Sequence, residues 1–126
     1  MIDTLSVVTR RYFDALPGAG AWLADSGRVV SGEAGTERLG THVRFHLKVA
    51  GGRVEEARFQ AYGCPHTLAI ASWLTERLPG RDRESLIPGR PEEWLAVFAA
   101  PVEKLGRLLI VEDALISCKL AAWPSI

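Results

Sequence analysis

The chain has 126 residues, of which 48% are apolar and 24% charged, and its fifteen basic residues balance its fifteen acidic residues. This length suits one domain, predicted over residues 1–126, that buries roughly two-thirds of its unfolded surface without a disulfide framework. A general nucleic-acid or membrane-surface binder would need a basic patch, so the zero net charge argues against both classes.

The first 40 residues predict one helix, a short strand pair and a loop. Residues 3–16 place apolar side chains at helical spacing, and the turn sequence PGAGA ends that helix. The stretch AWLADSGRVV, residues 21–30, favours a strand pair around Asp25–Gly27. Residues 31–40, SGEAGTERLG, carry three glycines and little apolar content. They therefore predict an exposed loop, and they lack the spacing of a phosphate-binding loop.

Residues 42–62 predict an antiparallel hairpin. The stretch HVRFHLKV alternates, which is typical of a half-buried strand. AGGR turns the chain, and RVEEARFQAY, residues 53–62, returns as a second strand. The two faces of the first strand carry apolar Val43, Phe45, Leu47 and Val49, and polar His42, Arg44, His46 and Lys48.

The second half of the chain predicts three helices. The central helix covers HTLAIASWLTERLPG and stops at Pro79-Gly80, and a shorter helix covers RPEEWLAVFAA. The last helix, residues 101–123, is predicted to break near Gly106. This order predicts an α+β fold, a small antiparallel β-sheet of about three strands with helices packed on one face. The apolar stripe of the last helix is Leu108, Val111, Leu115, Cys118 and Ala122.

Two cysteines, too few for a disulfide framework, favour a reducing compartment. The N-terminal MIDTLSVVTRRYF lacks the apolar region of a signal peptide. No apolar run approaches the roughly 18 residues that a transmembrane helix needs. We therefore expect a cytoplasmic protein whose partners include neither nucleic acid nor membrane.

Cys64 stands where the second strand gives way to the central helix. Unpaired N–H groups and the macrodipole at a helix N-terminus favour a thiolate, which is both nucleophile and metal ligand. Gly63 allows a sharp turn, and Pro65 fits a first helical turn. The residues alone leave two interpretations open, a reactive sulfur at the end of the sheet and a buried cysteine that fills space.

The segment VEEARFQAYGCPHTLAIASWLTERLPGR resembles the strand–Gly-Cys–helix core of the NifU/IscU-type iron–sulfur cluster scaffold proteins. The resemblance continues from about Gly40 to the C-terminus, where PVEKLGRLLIVEDAL is similar to the family's Pro-Val-Lys, His-Cys and Glu-Asp-Ala motifs. It implies a SufE/NifU-like fold and a role in iron–sulfur cluster assembly. The matching motifs are Tyr62-Gly63-Cys64, Ala69–Ser72, Thr75-Glu76 and Gly80-Arg81.

The same resemblance implies that three cysteines, an aspartate and a histidine hold the cluster, and here only Cys64 remains. The other positions fall at Leu39, Thr41, Gly106 and Arg107. Leucine cannot coordinate iron, and arginine has no lone pair to give. Iron–sulfur clusters need several thiolates, and zinc needs four ligands. An iron–sulfur cluster is thus implied as cofactor at Cys64, but one subunit lacks most of its ligands.

The other candidate ligands are predicted to be core or surface residues rather than metal ligands. Cys118 is predicted to face the core beside Leu115. His66 forms a Cys-x-His pair with Cys64, yet a solvent-exposed ring at a helix start is favoured. His42 and His46 lie roughly 13 Å apart on one strand, too far for one metal, and are predicted to be surface residues. Four tryptophans are predicted to be core residues, namely Trp22, Trp73, Trp94 and Trp123.

The resemblance also implies that Arg107 lies near Cys64. A guanidinium beside a thiolate lowers the pKa of the thiol. One hypothesis is therefore a thiol pocket in which Cys64, with Arg107 and His66 beside it, accepts a persulfide or binds an anion. The alternative is that Arg107 is a solvated, salt-bridging residue at a decayed site.

Three functions follow from these observations. The first is a divergent member of the scaffold family, with a binding or sulfur-accepting role centred on Cys64. The second is a single-thiol sulfur carrier or minor enzyme, and the third is a cluster-free module that binds assembly partners such as a cysteine desulfurase. The altered segment Pro101–Lys104 puts chaperone recognition in doubt. His66 is the sole plausible base near Cys64 and nothing orients it, so we predict no enzyme, and the oligomeric state stays open.

Overall fold

The computed structural model describes Gly20 and residues 28–123. The predicted N-terminal helix, Trp22 and the predicted turn at Asp25–Gly27 lie outside these residues. One domain over residues 1–126 stays a prediction. The described elements are strands β1 (Val29–Thr36), β2 (Thr41–Ala50) and β3 (Arg53–Tyr62), helices α1 (Pro65–Glu76), α2 (Pro91–Val97) and α3 (Leu105–Leu120), and 3-10 helices at Glu37–Leu39 and Val102–Lys104.

The three strands form one antiparallel sheet in the order β1-β2-β3. Helix α3 packs on β1 and β2, and α1 packs on β3. The side chains of β2 alternate between fully buried and half-buried, because one face meets the helices and the other meets solvent. The predicted α+β class, with helices on one face of a small antiparallel sheet, is confirmed.

The hairpin of β2 and β3 forms as predicted. Phe45 pairs with Phe59 across the two strands, and both rings are buried. Gly51 and Gly52 make the turn with φ values of 60° and 75°, which glycine adopts without steric cost. This hairpin ends at Tyr62 and so sets the position of the residues that follow.

Residues 31–40 are largely exposed, as their composition predicts, but they form a strand and a 3-10 helix rather than a loop. Strand β1 continues to Thr36, and a 3-10 helix follows it. A Cβ on Gly32 would lie 2.3 Å from the backbone nitrogen of Cys118. The missing side chain therefore allows close helix–strand packing at Gly32, a contact that the low apolar content of this stretch does not reveal.

Helix α3 does not break near Gly106, as the sequence analysis expected. A 3-10 helix at Val102–Lys104 leads into α3, which runs unbroken through Gly106 in its first turn. A glycine interrupts a helix less readily there, because the first turn lacks N–H partners in any case. Ala122 lies beyond the helix and is exposed, so it does not belong to the predicted stripe, whose other members are buried.

The C-terminal end of α3 is held by two side chains. Arg83 donates from Nε to the Lys119 carbonyl at 2.7 Å and from Nη2 to the Ala121 carbonyl at 3.2 Å. The Trp123 indole donates to the Cys118 carbonyl at 2.9 Å. These bonds satisfy carbonyls that a helix end leaves unpaired. Together with the close approach of Gly32 to Ala114, Ser117 and Cys118, they hold the C-terminal half of α3 against the sheet.

Three predicted core tryptophans are described. Trp94 is 1% exposed and donates its indole N–H to the Pro88 carbonyl at 2.6 Å. Trp73 is half-buried, with an edge-to-face contact to Phe98 at 5.6 Å between ring centroids. Trp123 is also half-buried against the core. The prediction is thus confirmed fully for Trp94 and in part for the other two.

None of the helices in the described part of the chain is long and apolar enough to cross a bilayer.

Candidate functional site

Cys64 occupies the junction between β3 and α1, as predicted. It is the N-cap residue of α1, with an extended backbone at φ −77° and ψ 165°, and Pro65 begins the helix. Its side chain is half-buried, so the sulfur keeps contact with solvent at the end of the sheet. The interpretation of a space-filling buried cysteine does not fit this position.

Thr67 is a site residue that the sequence analysis missed. Its side chain is fully buried, and its Oγ1 lies 3.4 Å from the Cys64 sulfur. A Cβ on Gly63 would lie 3.4 Å from Thr67 Cβ and Cγ2, so glycine leaves room for this contact. The sequence did carry a signal for Thr67, namely its spacing of three residues from Cys64. The third residue of a helix lies close to the N-cap residue.

Two cations from the start of the last helical segment reach Cys64. The Arg107 guanidinium and the positive charge of Lys104 act on the sulfur from nearby, and both lower the pKa of its thiol. Lys104 ends the 3-10 helix, and Arg107 lies in the first turn of α3. The tertiary structure therefore brings Arg107 beside Cys64, where the family resemblance placed it.

The surroundings of Cys64 hold the pKa of its thiol below its ordinary value. Burial raises this pKa, but four favourable contributions outweigh burial. They are the hydroxyl and the backbone amide of Thr67, the guanidinium of Arg107 and the charge of Lys104. All four stabilise the thiolate, which is the reactive form of the side chain.

His66 differs from its prediction, since it is 6% exposed rather than open to solvent. Burial lowers the pKa of its imidazole, and the charges of Lys104 and Arg107 lower it further. The His66 ring belongs to the first turn of α1, where the charges of Lys104 and Arg107 reach it and where it is buried. His66 is therefore held neutral near Cys64, and we call Cys64, His66, Thr67, Lys104 and Arg107 the thiol pocket.

The four positions matched to other family ligands offer no metal-binding side chain. Leu39 is 69% exposed, and Gly106 faces open space. Thr41 is 1% exposed, and its hydroxyl has no hydrogen-bond partner among the described residues. Within residues 28–123, no cluster of three or more His, Cys, Asp or Glu is arranged for a metal ion. The donor set present does not fit a caged cluster, because Cys64 supplies a single thiolate.

His42 and His46 lie on the solvent face of the sheet, as predicted. His42 donates to Glu33 at 2.7 Å. The ring of His46 lies between the Ser31 hydroxyl at 2.9 Å and the Gln60 side-chain oxygen at 2.8 Å. These bonds tie the three strands together on the face opposite the helices, so both rings have a structural explanation.

Cys118 is a core residue, which confirms its prediction. It is fully buried, and its thiol lies 3.7 Å from the Phe45 carbonyl oxygen. Burial raises the pKa of this thiol to about 12. Cys118 therefore stays protonated and takes no part in the thiol pocket.

Comparison with known proteins gives one matching family and several relatives. The family model of the NifU-like N terminal domain matches residues 9–88. The nitrogen fixation protein NifU of Cereibacter sphaeroides is 40% identical over 62 residues, which are 49% of this chain and 25% of that protein. The scaffold protein IscU of Azotobacter vinelandii, named for iron–sulfur cluster assembly, is 31% identical over 88 residues, 69% of each chain.

A solved structure shares the fold. The putative iron–sulfur cluster assembly scaffold protein for the SUF system of Fervidobacterium islandicum AW-1 superposes with a TM-score of 0.66 at 12% identity. The match covers 92% of this chain and 94% of that one. The chain spans about a quarter of the Cereibacter NifU protein, so similarity to that relative concerns one part of it.

Proposed function

We propose, on the premise that this chain belongs to the family of the NifU-like N-terminal domain, that it serves iron–sulfur cluster assembly as a sulfur acceptor through Cys64. In this proposal no single subunit cages the cluster, which is cargo of the assembly process. One observation carries it. The guanidinium of Arg107 acts on the Cys64 thiol and favours its thiolate form, at a position where the family resemblance expects a cluster-binding cysteine.

The proposed chemistry is the transfer of one sulfur atom from a persulfide. The Cys64 thiolate attacks the outer sulfur of the donor, a new S–S bond forms at Cys64, and the S–S bond of the donor breaks. The electron pair leaves with the donor thiolate, so no external oxidant or reductant is needed. Thr67 and Arg107 stabilise the attacking thiolate. Cys64 acts as a stoichiometric acceptor here, and we propose no enzymatic turnover.

The charge of the pocket supports acceptance of sulfur over storage of metal. Arg107 and Lys104 place positive charge where a cluster would need further thiolates. Positive charge stabilises a thiolate or a persulfide anion and opposes the approach of iron. A free, reactive thiol also suits a reducing cytoplasm, where we propose that the protein acts as one domain.

A second function is favoured by apolar side chains that remain exposed near the thiol pocket. Leu39 is 69% exposed, Val102 68% and Tyr62 53%. They belong to the three segments that lead to Thr41, Lys104 and Cys64, and exposed apolar groups commonly mark a protein-binding surface. The alternative is thus a cluster-free module that binds an assembly partner such as a cysteine desulfurase.

Persulfide loading tests the proposal. The full chain is reduced, desalted and incubated with glutathione persulfide, and intact-protein and peptide mass spectrometry follow. We expect one added sulfur atom on Cys64 and none on Cys118, with no addition to Cys64→Ser. An unloaded, folded wild-type protein that still binds a cysteine desulfurase would favour the interaction module instead.

A restored ligand set tests the cluster part of the proposal. The variant Leu39→Cys, Thr41→Asp, Gly106→His and Arg107→Cys recreates the donors that the resemblance implies, and Gly106 has open space for a larger side chain. We expect this variant to bind zinc at least about 100-fold more tightly than the wild type, because four added donors join Cys64. Equal zinc affinity in a folded variant, or a wild-type protein isolated with stoichiometric iron and sulfide, would contradict the proposal.

A further inference from the structure

We propose that Cys64 also accepts sulfur from a small sulfane-sulfur oxyanion, the chemical class represented by thiosulfate. This inference rests on the proposed sulfur-accepting role and specifies a substrate class for the same site. Three features of the pocket carry it. Among the described residues, they are two cations without a carboxylate partner, a buried hydroxyl without a hydrogen-bond partner, and a half-buried nucleophile at a helix N-terminus.

The two cations beside Cys64 are free to bind an anion. Neither Lys104 nor Arg107 makes an ion pair with any carboxylate in the part of the chain that the structure describes. The charged groups that act on Cys64 and on His66 are these same two residues. A dianion gains more from this field than a neutral or singly charged donor does.

Thr41 supplies the second, independent observation. Its hydroxyl is buried and has no hydrogen-bond partner among the described residues, although such groups nearly always have one. Thr41 shares the helix-facing side of β2 with Val43, and the pairing of His42 with Tyr62 sets it beside Gly63. The hydroxyl therefore faces the helix side of the sheet, at the end of the sheet where β3 leads into Cys64 and α1 begins, and an oxyanion there would give it an acceptor.

Helix α1 adds its own attraction for the anion. Its twelve residues are long enough for a developed dipole, and its N-cap residue is the nucleophile itself. Pro65 has no N–H to offer, so the N–H groups of the following residues and the two cations form the donor set. An oxyanion held there has its sulfane sulfur close to the Cys64 sulfur.

The proposed step is balanced without a further reagent. The Cys64 thiolate attacks the outer sulfur of thiosulfate, and a bond forms between that sulfur and Cys64 Sγ. The S–S bond of thiosulfate breaks, and its electron pair leaves on sulfite. The total charge is minus three before and after the step, and the original thiol proton has gone to water. Arg107 and Lys104 stabilise the departing sulfite dianion, which is where such donors contribute most to the rate.

The experiment uses the full, reduced chain with thiosulfate as the probe. We expect one sulfur atom on Cys64 for each sulfite released, with the initial rate saturating as the thiosulfate concentration rises. Inorganic sulfate, an unreactive dianion, should compete. Glutathione persulfide serves as the second donor. Loading by glutathione persulfide without loading by saturating thiosulfate overturns this inference and leaves the proposed function standing, whereas no loading by either donor overturns both.

Variants separate the anion site from the thiol itself. Arg107→Met and Lys104→Met should each slow loading by thiosulfate at least about fivefold more than loading by iodoacetamide, which is neutral. Thr41→Val keeps the shape of the side chain and should weaken competition by sulfate about threefold, as one hydrogen bond to an anion is lost. The matched control Arg90→Met removes an exposed guanidinium that does not act on Cys64 and should change neither rate.

One more readout keeps the test independent of sulfur transfer. The ratio of alkylation rates with iodoacetate, an anion, and iodoacetamide reports the potential at the Cys64 sulfur. The wild type should give a higher ratio than glutathione, and Arg107→Met should bring it toward that of glutathione. A wild-type ratio equal to that of glutathione, or one that Arg107→Met leaves unchanged, overturns the anion site.

Discussion

The two cysteines of this chain occupy opposite environments. Cys64 caps a helix, keeps contact with solvent and has its pKa held below the ordinary value despite burial, through Thr67, Arg107 and Lys104. Cys118 is fully buried on the inner side of α3, and burial raises its pKa to about 12. Because the two side chains are identical, the opposite shifts of their pKa values come from the surrounding fold.

One helix contributes to both environments. The first turn of α3 brings Arg107 to Cys64, and its last turns place Cys118 against β1 and β2. The first turn of α3 presents charge to a half-buried neighbour, whereas its last turns pack against the sheet, which excludes water. The two ends of α3 therefore act on different thiols. The first turn supplies charge to Cys64, and the last turns bury Cys118 in the core.

The largest expected effect is selective alkylation. In the native protein at mildly alkaline pH, iodoacetamide should modify Cys64 at least about 100-fold faster than Cys118. The buried thiol has far less thiolate, and its greater intrinsic nucleophilicity offsets only part of that difference. Peptide mass spectrometry over a time course measures both rates. The variant Cys64→Ser should be alkylated only after denaturation. Comparable native alkylation rates for Cys64 and Cys118 would contradict the difference between their environments.

Gly32→Ala should break the burial of Cys118. The new Cβ would lie 2.3 Å from the Cys118 backbone nitrogen, so α3 must move away from β1. We expect a loss of about 2–3 kcal/mol in the free energy of unfolding, as for an overpacked core. Native alkylation of Cys118 should rise accordingly.

Urea denaturation and the alkylation assay together check this prediction. The matched control is Gly106→Ala, since a Cβ there meets nothing within 4 Å and alanine favours helix. Gly106→Ala should leave stability unchanged or slightly higher. If Gly32→Ala proved as stable as the wild type, the close contact between β1 and α3 would be wrong.

Arg107→Met should move Cys64 part of the way toward the behaviour of Cys118. Methionine keeps an apolar stem but removes the charge that stabilises the thiolate, so the pKa of Cys64 should rise. We expect alkylation near neutral pH to slow roughly threefold to tenfold. The pH profile of iodoacetamide labelling, with Arg90→Met alongside, separates this effect from a general change in surface charge.

His66 provides the smallest expected effect, in the pH dependence of stability. Burial, Lys104 and Arg107 depress its pKa in the folded state below the ordinary 6.5. The unfolded chain therefore binds the proton first. Stability due to a neutral His66 is complete above about pH 6.5 and is lost as the pH falls through that value. His66→Gln should flatten this loss in urea denaturation between about pH 5 and pH 8, and an unchanged slope would contradict the burial of the ring.

Local patterns in the chain were sufficient for much of the fold. Alternation from His42 to Tyr62 predicted the hairpin, because an exposed and a buried face impose a period of two. The same pattern located Cys64 at the junction of β3 and α1. Strand β1 escaped prediction beyond Val30, since its inward positions Gly32 and Ala34 are small and their burial depends on a helix distant in sequence.

The candidate site was predictable in part. The family resemblance placed Arg107 near Cys64, and the structure brings the two together. The predicted exposure of His66 was wrong, since the side chain is buried and lies within reach of the charges of Lys104 and Arg107 from a distant part of the chain. Thr67 could have been found from its helical spacing to Cys64, while the lack of a partner for Thr41 could not.

The amino-acid sequence by itself determined which sulfur stands at the turn from strand to helix, and it determined that leucine, threonine, glycine and arginine occupy the remaining ligand positions. The first follows from local periodicity and the second from what the family resemblance implies, and neither needs knowledge of distant contacts. Only the tertiary structure decided the state of each thiol, since that depends on charge and solvent exclusion supplied by residues far along the chain. Electrostatic and packing energies act through space, so the sequence pattern identifies the two thiols but not the residues that surround them in the fold.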